Sequence, residues 1–304
     1  NRQMSSSTLP TRFFRDSSVW LLASFTGLAA IHLSLASKAN DGSLLSSSIV
    51  YWIAIASMLW SKKKKLSFKS SFFGGGLGIL ILSLVLVKSS FMQGYDPFLR
   101  ILPLFSMIGL GLLASGVTGL GQFWKELSIL SFLTPPPSVL EQVINTSPVT
   151  AKFSTALLWY AGFPVTRENQ FILIPNGGVE VYSGCSGVDT MLHLLGLSAV
   201  FVALFPTSKL QKLVLPLLAI GIAFVVNGVR VSLMAALSEP TNKAMFEYWH
   251  KGDGSLLFSM ISVVLLATYC YFISMPERPV AYAPPLNEAV EDPNLADSSP
   301  YTEV

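Results

Sequence analysis

Seven stretches of about twenty residues are almost free of charge, and this pattern restricts the fold more than any other feature of the chain. They run at about 18–37, 44–60, 71–87, 98–120, 188–206, 213–236 and 255–274. Twenty residues of helix rise about 30 Å, the depth of a bilayer's hydrocarbon core. In that medium each segment must pair its own backbone N–H and C=O groups, which leaves helices as the spanning element here. Composition agrees: 51% of the 304 residues are hydrophobic and 12% charged, with mean hydropathy +0.56. Soluble domains carry about 25% charged residues. The expected fold is an all-α polytopic membrane protein. Its first stretch reads as a retained span, being longer than a signal-peptide core and followed by no small-residue cleavage site.

Clustered positive charges set the orientation. Arg2, Arg12 and Arg15 precede the first stretch, and Lys62 to Lys65 with Lys69 follow the second. Lys209 and Lys212 lie between the fifth and sixth, and Arg278 follows the last. All are expected in the cytoplasm. Two cytoplasmic loops must be an even number of crossings apart, yet only three apolar stretches separate Lys65 from Lys209. The segment from Leu127 to about Ile144, behind Lys125 and Glu126, has to supply the fourth. Pro135, Pro136, Pro137 and Glu141 interrupt it, and irregular backbone at this depth requires surrounding protein or a wet cavity. The expectation is about eight transmembrane helices, one of them broken. Residues 1–17 form a cytoplasmic lead and 18–275 the membrane domain. The Pro-rich acidic stretch 276–304 (Glu277, Glu288, Glu291, Asp292, Asp297, Glu303) reads as a disordered cytoplasmic tail.

Between residues 147 and 183 the pattern changes. Residues 149–162 suit an amphipathic helix lying at the surface. Phe171–Ile174 and Val179–Tyr182 then flank Asn176-Gly177-Gly178, a hairpin signal. A small extramembrane β-hairpin at about 168–184 thus runs directly into Gly184-Cys185-Ser186-Gly187.

The net charge of +3 gives no case for nucleic acid. Two cysteines exclude a disulfide framework. His32, His193 and His250 lack metal-ligand spacing, and no motif calls for a metal or cofactor. What the topology does assemble is Cys185, Arg230 and His250 on the non-cytoplasmic face. Cys185 stands at the outer mouth of the fifth apolar stretch, where a helix N-terminus favours thiolate. Arg230 lies about 10 Å inside the next, and His250 in the short outer loop before the last. Cys270 is too far away, near the cytoplasmic end of its span, for a disulfide with Cys185.

Each of the three has a plainer reading. A membrane cysteine is often a small packing residue, but Cys185 sits between Gly184 and Gly187, which open its backbone to close approach. A charge inside a span is costly and marks a functional or paired site. The paired alternative joins Arg230 to Asp189, four residues after Cys185, with Asn227 one turn before Arg230 on the same side. His250 alone reads as an interfacial loop residue; beside Cys185 it becomes the general acid/base. His32 and His193 read as packing or hydrogen-bonding residues. In this division of labour the Cys185 thiolate attacks a carbonyl to form a thioester, His250 moves the proton, and Arg230 stabilises the oxyanion. Two other functions fit some of the residues: a transporter with Arg230 and Asp189 along its path, and a membrane acyltransferase using His250.

The ordered set resembles the exosortase/archaeosortase family of polytopic cysteine enzymes. The matching pieces are the hairpin entering Gly184-Cys185-Ser186-Gly187, then Asn227-Gly228-Val229-Arg230, then His250 before the final span. Phe123-Trp124-Lys125-Glu126 ahead of a Pro-interrupted span matches as well. The likeness extends over roughly residues 20–275. Many bacterial members have a basic residue soon after the Cys-Ser-Gly; Val188-Asp189 stand here, and the string is more similar to the cyanobacterial branch, the cyanoexosortases. The resemblance implies a membrane cysteine protease/transpeptidase of the bacterial inner membrane, its site facing the periplasm. Its partners would be exported proteins with a C-terminal sorting signal of PEP type, together with membrane lipid.

Overall fold

The computed structural model describes residues 17–39, 42–250 and 253–274; the expectations for the cytoplasmic lead and the acidic tail lie largely outside these. Four helices come first: α1 (Ser17–Lys38), α2 (Gly42–Lys62), α3 (Phe72–Ser90) and α4 (Phe98–Gly119). A 3₁₀ turn, Leu120–Phe123, leads to α5 (Trp124–Ser131) and α6 (Pro137–Val143), followed by α7 (Ser147–Tyr160). Three short strands follow: β1 (Thr166–Glu168), β2 (Phe171–Ile174) and β3 (Gly177–Glu180). The chain then enters α8 (Val188–Leu204), α9 (Lys209–Ala236), α10 (Lys243–His250) and α11 (Asp253–Ser274).

The described residues contain six helices long and apolar enough to span a membrane, and α8 is a shorter apolar one. The segment expected to supply the further crossing is the short, broken pair α5–α6. Three consecutive prolines force the break: each lacks an N–H, and each holds the residue before it extended. Pro136 accordingly has φ −63° and ψ 131°, and α6 restarts at Pro137. Outward-facing Leu80, Leu84, Leu213, Leu217, Ile261 and Val264 are exposed, as lipid-facing residues should be. The chain is a multi-pass membrane protein.

One buried cluster joins Tyr51 and Ile55 of α2 to Leu99 of α4, Leu130 of α5 and Val200 of α8, so α5 is walled by protein. At one end of this region Lys62 Nζ lies 2.8 Å from Glu126 Oε2 and donates to the Gln122 carbonyl at 2.6 Å. A second cluster joins Leu194 of α8, Leu215 and Ala219 of α9, and Leu266 and Cys270 of α11. The third lies under the site: Ala151 and Leu158 of α7, Ile172 of β2, then Val181, Cys185, Val231 and Ala235. The two cysteines are free and sit in different clusters.

Three local readings change. The β-hairpin is one half of a three-stranded antiparallel sheet, in which Thr166 also pairs with Leu173. Its β2–β3 turn is Pro175-Asn176, because Ile174 pairs with Gly177; the fixed φ of proline suits the first corner of such a turn. The helix over 149–162 is α7, and its outward side is mixed, with Lys152 exposed among apolar side chains. Its small polar side, Thr150, Ala151 and Ser154, is buried, while Val149, Trp159 and Tyr160 point outward. Lys209 and Lys212 belong to the first turn of α9 rather than to a loop, since Ser208 and Gln211 form a reciprocal cap there.

Candidate active site

The Cys185 loop is built from backbone bonds. The Cys185 N–H donates to the Tyr182 carbonyl at 2.8 Å, closing a turn between β3 and α8. Ser186 Oγ donates to the Ser183 carbonyl at 2.9 Å, and the Ser186 carbonyl accepts from Thr150 Oγ1 at 2.8 Å. Gly187 has φ 93°, a conformation that strains a side-chain-bearing residue. A Cβ there would also meet Asn227 Nδ2 at 2.7 Å. Asn227 in turn donates from Nδ2 to the Cys185 carbonyl at 2.9 Å. Four elements therefore fix one thiol.

α9 supplies Asn227 and Arg230 from one face. It is clamped to α7 by Ser154 Oγ, which donates to the Gly228 carbonyl at 2.9 Å. Gly228 permits the contact: a Cβ at this position would lie 2.2 Å from the Phe153 ring. Glu141 anchors the start of α7. Its carboxylate accepts from the Thr146 and Ser147 N–H groups at 3.1 and 3.2 Å and from both hydroxyls at 3.1 and 2.9 Å. A buried anion at the first amides of a helix answers their unpaired N–H groups.

His250 ends α10, where the sequence suggested a loop. Its Nε2 lies 3.8 Å from Cys185 Sγ and 3.3 Å from Tyr182 Oη. Its carbonyl accepts from Arg230 Nη2 at 3.1 Å, so the cation of α9 and the imidazole of α10 are tied together. The structure thus brings Cys185, His250 and Arg230 into one network from positions 20 to 65 residues apart. Cys185 is buried. Arg230 Nε is also buried and has no hydrogen-bond partner among the described residues.

Asp189 does not pair with Arg230. Its Oδ1 lies 4.0 Å from Arg100 Nη2 and 3.6 Å from His193 Nδ1. His193 Nδ1 also lies 2.7 Å from the Asp189 carbonyl, one helical turn away. Asp189 thus ties α8 to α4 beside the site instead of balancing Arg230. His32 is a structural residue, as expected: Trp52 Nε1 donates to its Nδ1 at 3.0 Å, and its Nε2 faces the Leu99 carbonyl at 3.1 Å. Gly184 is the remaining expected residue, and a Cβ there would crowd the Tyr182 ring at 2.7 Å.

Tyr182 is the residue that sequence reasoning passed over as a strand end. Its pKa is raised, first by burial and then by the neighbouring Cys185 sulfur, with Arg230 opposing. The hydroxyl therefore keeps its proton at neutral pH and is a donor to whatever base stands beside it. The available signal was its place three residues before the cysteine, one turn away.

Fold and site together define a multi-pass membrane protein holding a thiol and an imidazole side by side at one end of its bundle. The family model for transmembrane exosortases matches residues 39–267, well over half of the chain. The chain belongs to that family, whose members are membrane-embedded sorting transpeptidases of the cysteine-peptidase kind. No curated protein and no solved structure matches it.

Proposed function

We propose that this protein cleaves a C-terminal PEP-type sorting signal from exported proteins through a thioester on Cys185. The observation that carries the reading is the approach of Cys185 Sγ to His250 Nε2, 3.8 Å, in a chain of this family. The thiol gives its proton to His250 Nε2, and the sulfur attacks the scissile carbonyl. Negative charge then develops on the carbonyl oxygen. A buried guanidinium N–H with no partner is a suitable donor for it, because it needs no reorganisation as the charge appears; Arg230 Nε has that character. The imidazolium returns its proton to the departing amine as the C–N bond breaks, leaving the acyl group on sulfur. An incoming amine or water, deprotonated by His250, breaks the C–S bond and restores the thiol.

Tyr182 Oη stands beside the same nitrogen; because the single lone pair of Nε2 takes the thiol proton, the hydroxyl's part is to donate to the thiolate once that proton has moved. Asn227 positions the Cys185 backbone. The charge pattern supports a site on the periplasmic side of a bacterial inner membrane. Among the described residues the opposite end carries Lys62, Lys63, Lys64, Lys65, Lys69, Lys125, Lys209 and Lys212 against Glu126 alone, the distribution of a cytoplasmic face.

The test is mass spectrometry of a tailed exported substrate, together with the Cys185-containing peptide. The expected results are a shortened C-terminus and an acyl adduct on Cys185 that hydroxylamine removes. Normal processing by Cys185→Ala would assign the nucleophile elsewhere. An intact cycle with cysteines introduced near 176 labelled only from the cytoplasm would reverse the orientation.

A further inference from the structure

The end of the bundle remote from Cys185 has a cleft that the proposed chemistry does not use. Helices α1, α2 and α4 leave a space of about 570 Å³ between them, within the range of about 300–1,000 Å³ typical of ligand sites. Its walls are hydrocarbon, including Phe25, Ala56 and Leu110, and its rim carries Trp60, Lys63 and Lys64. The Lys63 ammonium stands 3.4 Å from the centre of the Trp60 ring. Glu126, the one acid among the described residues at this end, is taken by Lys62, and neither Lys63 nor Lys64 has an ion pair among the described residues.

An apolar slot under uncompensated ammonium groups is complementary to an amphiphile with a hydrocarbon tail and an anionic head. A soluble anion would leave the slot unfilled, and a zwitterionic lipid would leave the lysines unneutralised. Trp60 lies in the last turn of α2 beside Lys62 and Lys63, and tryptophan is enriched where membrane helices meet the headgroup layer. Basic pockets between helices on a cytoplasmic face are suited to anionic headgroups. From the cleft and its rim we infer a binding site for one anionic phospholipid: an acyl chain lies along Ala56 and Leu110, and the phosphate sits between Lys63 and Lys64.

The inference is independent of the catalytic reading, and its test needs no substrate. The full chain, purified in a neutral detergent, is offered phosphatidylglycerol, phosphatidylcholine or glycerol 3-phosphate, and retained ligand is counted by native mass spectrometry alongside the thermal midpoint. The expected result is one retained phosphatidylglycerol, preferred roughly tenfold or more over phosphatidylcholine, with an upward thermal shift that glycerol 3-phosphate does not reproduce. Lys63→Gln with Lys64→Gln should bring the two lipids close to parity. Ala56→Phe, which fills the cleft from an exposed position, should lower retention of both lipids. Lys209→Gln with Lys212→Gln removes the same charge from the same end and should leave the preference intact. Equal retention of both lipids by the wild type would overturn the site, as would loss of preference in the Lys209/Lys212 variant, which would indicate bulk surface charge. Retention that appears only after residues 1–16 are deleted would also overturn it, by showing that the chain's own N-terminal segment fills the cleft.

Discussion

Glu141 and Arg230 are charged side chains placed on two sides of the same cysteine loop, and the structure treats them in opposite ways. Glu141 is spent on the chain: four hydrogen bonds from Thr146 and Ser147 satisfy both of its oxygens. Arg230 is spent only in part. Nη2 holds the His250 carbonyl, while buried Nε has no partner among the described residues. Leaving a buried donor unpaired costs about 1–3 kcal/mol, so a fold that only needed stability would have paired it. The contrast is between a charge whose hydrogen bonds all go to the chain and one that keeps a buried N–H unpaired among the described residues. Asp189 sharpens it, since the one acid of the neighbouring span stands by Arg100 and His193.

The largest expected effect breaks the contrast on the Arg230 side. Arg230→Gln should lower processing by about 10²–10³, the usual loss of one preorganised oxyanion donor, while the thermal midpoint changes little. Arg230→Lys should recover only part of the rate, because it keeps the charge without the planar fork. Adding Asp189→Asn should restore nothing. Recovery in that double variant would return Arg230 to a structural ion pair and remove it from the site.

On the Glu141 side the effect should appear in folding. Glu141→Ala uncovers two helix N–H groups and two hydroxyls, an expected cost of about 2–4 kcal/mol, read as lost folded protein and a lower denaturation midpoint. The rate per folded molecule should stay within about tenfold of wild type. A variant that folds normally yet fails to process substrate would show that Glu141 belongs with Arg230 after all.

The effect of Tyr182→Phe should be smaller than either. It keeps the ring and removes one hydrogen bond to a group that becomes charged, about 1.5 kcal/mol or tenfold in rate. Folded yield should not change. An unaltered rate would make the hydroxyl a bystander to the Cys185–His250 pair.

The smallest effect concerns a charge pair at the same end but outside the network. Asp96 accepts from Lys88 at 2.8 Å, and that hydrogen bond holds its carboxyl below the usual range. A lowered folded pKa means that the stabilisation is present above the unfolded value and fades as pH falls through the folded one. For an exposed pair the size is about 0.5 kcal/mol or less. Comparing denaturation midpoints of wild type and Lys88→Gln at neutral and strongly acidic pH should show a small gap that closes on acidification.

Much of this was written in the linear chain. Apolar length located the six long spans and the shorter α8 to within about ten residues, because a bilayer demands about 20 residues per helix whatever they pack against. Parity of the lysine clusters calls for a further crossing where Pro135 to Pro137 stand, and that segment folds as two short helices, α5 and α6. The order of Cys185, Arg230 and His250 along alternating spans brought them to one end, since each crossing reverses direction.

What the sequence could not decide was which polar group finds which partner. Arg100 and Asp189 are 89 residues apart and meet only in the folded bundle; as the one acid of the span next to Arg230's, Asp189 reads from the sequence as that cation's partner. Thr150 meets the Ser186 carbonyl because α7 turns its small polar face inward, against the pattern expected of a surface helix. Tyr182 reached the imidazole because a backbone turn aimed its ring at α10. Span length is a local property imposed by the solvent, and residues alone report it. A hydrogen bond needs its two atoms within about 3 Å at a workable angle, and that depends on how several helices pack, which no single segment of this chain encodes.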